Sequence, residues 1–173
     1  MYRRFAFEGD IHEALDCVPL SVRRKLDLAS LKIPLEGWQR LARSDRLALC
    51  HLPVDSDLDI EVYREVMTGF CDRAAVPLKP LDDPNAAARV WNAPQTPESV
   101  RARVVALGAD LADDTWRAQD EESRYALVKL ADPKRNPNKI HALLVELGLL
   151  AGPAPLVHPK VVVCEAQPAG RGT

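Results

Sequence analysis

The chain has 173 residues, 47% of them hydrophobic and 28% charged, and its 23 basic and 25 acidic side chains leave a formal charge of -2. That is the length and composition of one ordinary globular domain, long enough to bury a core without staples. A near-neutral balance with no large basic cluster argues against nucleic acid as the partner, and no run approaches the ~18 apolar residues of a membrane span. The opening MYRRFAFEGD holds no apolar stretch of signal-peptide length, so the expected location is the cytoplasm, with the thiols reduced. Aromatics make up 5%, leaving alanine and leucine to do most of the packing, which favours helices over sheets.

The first ten residues alternate Tyr2, Phe5 and Phe7 with polar residues and read as an extended arm. Pro19 suits the first turn of a helix over 19–30, whose apolar stripe is Val22, Leu26 and Ala29. Pro34 begins a second helix holding Leu35, Trp38 and Leu41. Ser44 and Asp45 cap a third that ends before Pro53. Ser56 or Asp57 caps the longest, about 57–74, where Leu58, Val62, Val66, Phe70 and Ala74 fall at steps of four and Tyr63 and Met67 widen the stripe.

Pro77, Pro80, Pro84 and Pro94 turn residues 76–95 into an extended connection packed through Leu78, Leu81, Val90 and Trp91, with room for a helical turn near 85–91. Thr96-Pro97-Glu98 reads as cap, first-turn proline and first-turn acid of a helix whose face is Val100, Val104, Leu107 and Leu111. Asp120-Glu121-Glu122 opens a central helix through Tyr125, Leu127, Val128 and Leu130. Asn136-Pro137 starts the last, with Ile140, Leu143, Leu144 and Leu147 on one face and Gly148 at its C-terminal stop. The predicted fold is all-α: a compact bundle of about six to seven short helices with an extended N-terminal arm and a Pro-rich central connection. The predicted domain is 1–149, followed by a flexible tail at 150–173, in which Val161-Val162-Val163 is the one strand-like run.

No catalytic, cofactor or metal-binding residue is assigned. Cys17, Cys50, Cys71 and Cys164 form no CxxC pair, and Cys50 beside His51 projects about 100° away from it on a helix, which suits no chelate. Cys50 and Cys71 read as small buried hydrophobes. Asp55, Asp57 and Asp59 have calcium-loop spacing without that loop's glycine and distal glutamate. No glycine-rich elbow or phosphate loop occurs, and half of the 8 glycines lie at or after residue 148. Arg23-Arg24-Lys25 beside Asp27 should project outward from their helix and could dock an acidic partner. Lys129 sits within the apolar run YALVKL, its stem expected to be buried.

Phe5-Ala6-Phe7-Glu8 with Asp10 and Ile11, then Leu15-Asp16-Cys17-Val18-Pro19-Leu20-Ser21-Val22-Arg23-Arg24-Lys25-Leu26-Asp27, then Lys32, Leu35 and Trp38, and finally Arg124-Tyr125-Ala126-Leu127-Val128-Lys129-Leu130 together resemble the nitrate reductase-associated proteins of cyanobacteria and other bacteria. The resemblance runs over about residues 5–149. It implies a helical accessory or maturation protein of molybdenum-dependent nitrate reductase in nitrate assimilation, not itself an enzyme, acting by protein–protein contact. The molybdenum chemistry would belong to the partner. Phe7, Glu8, Cys17, Arg23, Lys25 and Asp27 are the candidate contact residues. Two alternatives are an anion-sensing helical domain using Arg23, Arg24 and Lys25, and an enzyme built on Cys17, whose thiol would be activated by the helix beginning at Pro19.

Overall fold

The computed structural model describes residues 2–81 and 86–152. Val161-Val162-Val163, Cys164 and the expected tail from residue 153 onward lie outside the described residues, as do Asp82 and Asp83. Among the described residues the fold is mainly helical, with two strands of two residues each. Ten α-helices occur among the described residues instead of six or seven, because the chain adds short ones between those that periodicity reveals.

Contacts gather the described residues into two compact units: Tyr2 with 10–81, and 3–9 with 86–152. The first unit contains α1 (Ile11–Ala14), α2 (Leu20–Leu28), β1 (Leu31–Lys32), α3 (Leu35–Arg40), α4 (Arg43–His51), α5 (Asp57–Arg73) and β2 (Lys79–Pro80). The strands pair antiparallel, Leu31 opposite Pro80 and Lys32 opposite Lys79. Proline is tolerated there because the ribbon has only edges. Val22, Leu26 and Ala29 are buried as their spacing predicts, and α2 packs on α4, α5 and β1 around Trp38, Leu49, Tyr63 and Met67.

Helix α5 begins with a capping box. The Ser56 hydroxyl accepts from the Asp59 amide at 3.2 Å, and the Asp59 carboxylate accepts from the Ser56 amide at 3.0 Å. Its core face holds Tyr63 and Met67 of the predicted stripe, with Phe70 and Ala74 packed partly against the core. Tyr63, Met67 and Cys71 are buried, whereas Leu58 and Val62 are exposed. Steps of four drift by about 40° each on an α-helix, so the start of the predicted row lies away from the face centred on Tyr63, Met67 and Cys71.

Gly37 lies in α3 where the backbone meets its neighbours. A Cβ there would stand 2.6 Å from Cγ1 of Val76 and 3.2 Å from Cγ1 of Ile33, both buried side chains. Gly37→Ala is therefore expected to destabilise the fold by about 1–2 kcal/mol through overpacking, despite alanine's better helix propensity. The urea midpoint checks it.

The second unit opens with residues 3–9, where a single 3-10 turn, Ala6–Glu8, replaces the expected extended arm. Phe5 and Phe7 are buried with their rings stacked, centroids 5.5 Å apart. Helices α6 (Ala86–Trp91), α7 (Glu98–Val105), α8 (Asp113–Ala118), α9 (Glu121–Leu130) and α10 (Pro137–Glu146) follow. Asp120 caps α9 by accepting from the Ser123 amide at 2.8 Å, and Asn136 caps α10 at the Asn138 amide, 2.9 Å. Helix α10 ends as predicted on Gly148 at φ +69°, the Leu149 amide reaching back to the Leu144 carbonyl.

Other expectations here need correction. Helix α7 stops at Val105, so Leu107 and Leu111 follow it in a turn containing Gly108 at φ +77°. The Thr96 hydroxyl does not cap α7; it donates to the Leu111 carbonyl. Val90 is exposed, and Trp91 alone of that pair is buried, its indole N–H donating to Glu121 and its ring edge-on to Tyr125. Lys129 sets its ammonium 5.3 Å from the centre of the Tyr125 ring.

Candidate functional site

The segment from Leu15 to Asp27 is the most distinctive in the sequence, and the structure shows how it is held. Leu15 turns the chain at φ +56° and ends α1. The carbonyls this turn leaves outside any helix are met by side chains from later elements. The Trp38 indole N–H donates to the Leu15 carbonyl at 2.7 Å, and Arg46 donates to the same oxygen at 2.8 Å. Gln39 donates to the Asp16 carbonyl and Arg43 to that of Glu13. The Leu15 carbonyl, whose bond to Trp38 is buried, needs such a partner, whereas the bonds to Asp16 and Glu13 are exposed. Trp38 was visible as an apolar helix residue. Its hydrogen bond, and the roles of Gln39, Arg43 and Arg46, carried no signal in spacing.

Helix α2 is tied down along its length. The Lys25 ammonium donates to the carbonyls of Cys50, at 2.7 Å, and of Leu52, closing the C-terminal end of α4 where the helix dipole is negative. Arg23 turns its Nε to the Val18 carbonyl at 3.1 Å, and Arg64 of α5 donates to the Ala29 carbonyl at 3.0 Å. Arg24, Lys25 and Asp27 are all buried. The expectation that this triplet projects outward is thus wrong for Arg24 and Lys25; only Arg23 is part-exposed. Lysine's four-carbon stem lets an ammonium reach another helix end through an apolar layer, so its position on the helical wheel misleads.

The six candidate contact residues are divided between the two units. Phe7 and Glu8 belong to the second unit, and Cys17, Arg23, Lys25 and Asp27 to the first. Five of the six are buried. Cys17 is buried, and Cys164 lies outside the described residues. Cys50 and Cys71 form no disulfide and are buried as predicted. Burial, with Asp72 as a smaller influence, pushes the Cys71 thiol up to about 11. Tyr63, between these cysteines in its electrostatic surroundings, is raised well above the ordinary phenol range, chiefly by burial. Neither group is a nucleophile at neutral pH.

Tyr2 lies edge-on to His12 and His51, both ring centroids 5.3 Å away, and its hydroxyl is hydrogen-bonded to Nδ1 of His12. No cluster of three histidine, cysteine or acidic residues suited to a metal ion occurs among the described residues. None of the described helices is long and apolar enough to cross a membrane.

In the second unit the N-terminal segment is fastened at two points. Arg3 pairs with Asp120 and lies over the Phe5 ring, 4.8 Å from its centre, while the Ala6 amide donates to Glu146 at 2.9 Å. Asp113 accepts from the Thr96 amide at 2.9 Å and from Arg101 at 2.7 Å. The Thr96 amide and hydroxyl, with Arg101, hold the Asp113 carboxyl below its ordinary value against a partial desolvation. For Asp120, burial acts upward and is the largest single influence, but the Ser123 amide and hydroxyl together with Arg3 outweigh it and the net shift is downward.

Carboxyls held below their unfolded value of about 4 favour the folded state at neutral pH. That contribution is complete above about pH 4 and disappears as the pH falls through the lowered folded values. Asp113→Asn and Asp120→Asn should each flatten the loss of stability below about pH 4, which urea midpoints measured between neutral and acid pH will show.

The geometry is thus that of a stitched scaffold, in which charged side chains are spent on backbone carbonyls and helix ends. Compared with curated proteins and with solved structures, the chain finds no match. Over residues 4–147 it matches the profile of the conserved nitrate reductase-associated protein family, and the chain belongs to that family.

Proposed function

We propose that this protein is a non-catalytic accessory factor of molybdenum-dependent nitrate reductase, acting in the cytoplasm by protein–protein contact during nitrate assimilation. The observation that carries the reading is the family match across 4–147, which spans both compact units. The arrangement of charged groups agrees with it. Lys25 is engaged with backbone carbonyls, and the thiols of Cys50 and Cys71 are buried and unsuited to nucleophilic work. Among the six candidate contacts, Arg23 is the one that a partner can reach directly. The buried five act by holding the shape of what is presented.

Deleting the gene should abolish or slow growth on nitrate while leaving growth on ammonium unchanged, with nitrate reductase activity falling in extracts. An affinity-tagged chain from nitrate-grown cells should recover nitrate reductase. Normal nitrate growth together with no nitrate-assimilation protein in the capture would overturn the proposal.

A further inference from the structure

Helix α5 turns one face to the core and leaves the opposite one without cover. Leu58 is 69% exposed and Val62 43% exposed, although both are aliphatic. At i, i+4, i+7 and i+11, Leu58, Val62, Glu65 and Gly69 share one face. A Cβ placed on Gly69 would meet nothing within 4 Å, so this row is open along its length. A single exposed leucine needs no explanation. Two aliphatic side chains one turn apart on the longest helix, continued by an open glycine, form a ridge against which another helix can pack closely.

The charges around the ridge say what kind of helix. Asp57, Glu61, Glu65 and Asp72 are exposed on α5. The two basic residues of the helix are already engaged: Arg64 donates to the Ala29 carbonyl, and Arg73 pairs with Asp45 at 3.2 Å and lies over the Phe70 ring. The chain as a whole carries only -2, so this concentration of acid is local. A second copy of α5 would bring the same carboxylates against these, and like charges across an interface are strongly disfavoured. We propose that the outward face of α5 docks a basic amphipathic helix of another protein, with the aliphatic stripe of that helix on Leu58 and Val62 and its lysines or arginines toward Glu61 and Glu65. The proposal does not depend on that other protein being nitrate reductase.

The test uses the full chain and two synthetic helices with leucines at i, i+3, i+4 and i+7, one with a lysine-rich polar face and one with a glutamate-rich face. The lysine helix should bind and weaken with added salt, and the glutamate helix should not bind. Leu58→Ser with Val62→Ser alters no charge and only exposed side chains. It should weaken the lysine helix at least tenfold while the circular dichroism spectrum stays unchanged. Glu61→Gln with Glu65→Gln should weaken binding and reduce its salt dependence. Equal binding by the serine variant and the parent would reduce the effect to diffuse charge attraction and overturn the proposal. So would comparable binding of the glutamate helix, or a dimer in sedimentation that the serine variant splits, which would make the occupant a second copy.

Discussion

Trp38→Ala is expected to destabilise the first unit by about 3–5 kcal/mol, the range for deleting a large buried aromatic. Trp38 is wholly buried, so alanine leaves a cavity that α3 and its neighbours can fill only partly. The indole N–H is also lost from the Leu15 carbonyl. Trp38→Phe separates the two contributions, because it keeps most of the ring volume and removes the donor. Arg46 still reaches the same oxygen, so the phenylalanine variant should lose only about 1–2 kcal/mol. Urea unfolding followed by circular dichroism measures both. If the two variants lost equal stability, the hydrogen bond and not the packing would dominate this site.

Lys25→Met is the second large effect, at about 3 kcal/mol. Methionine matches the stem in length and fills much the same space, so cavity formation is minor. What disappears is the ammonium that satisfies the carbonyls of Cys50 and Leu52, and each buried acceptor left alone costs about 1–3 kcal/mol. Part of this is offset, because a buried charge no longer has to be desolvated. Lys25→Arg keeps the charge but brings a larger planar head into a closed space, and should fall between the parent and methionine. Hydrogen exchange gives a second reading: amides in the last turn of α4 should lose protection in Lys25→Met before the rest of the unit does.

Much of the fold was legible because helix signals are local. Ser56, Asp120 and Asn136 cap where their sequence positions predict, and Gly148 ends the last helix. Short helices without a full apolar stripe were missed. Helix α8 contributes one fully buried residue, Trp116, and α1 has a single turn, too little for periodicity to register. The N-terminal end of the α5 stripe was misplaced because steps of four drift by about 40° on a helix, so Leu58 and Val62 fall outside the core face that Tyr63 and Met67 share with Cys71. The candidate contact residues were picked for charge and aromaticity. Yet Lys25 satisfies carbonyls 25 and 27 residues away, and such a distant partner leaves no trace in local spacing.

The turn that enters α2 has a bearing on the order in which this protein folds. Its carbonyls at Glu13, Leu15 and Asp16 are met by side chains 23 to 31 residues further along. Closing loops of that length must precede the reward for closing them. A chain that lacks α3 and α4 lacks all four of these hydrogen bonds, and the segment that marks the family should be less ordered in it. Its order should therefore report on whether the first unit is complete.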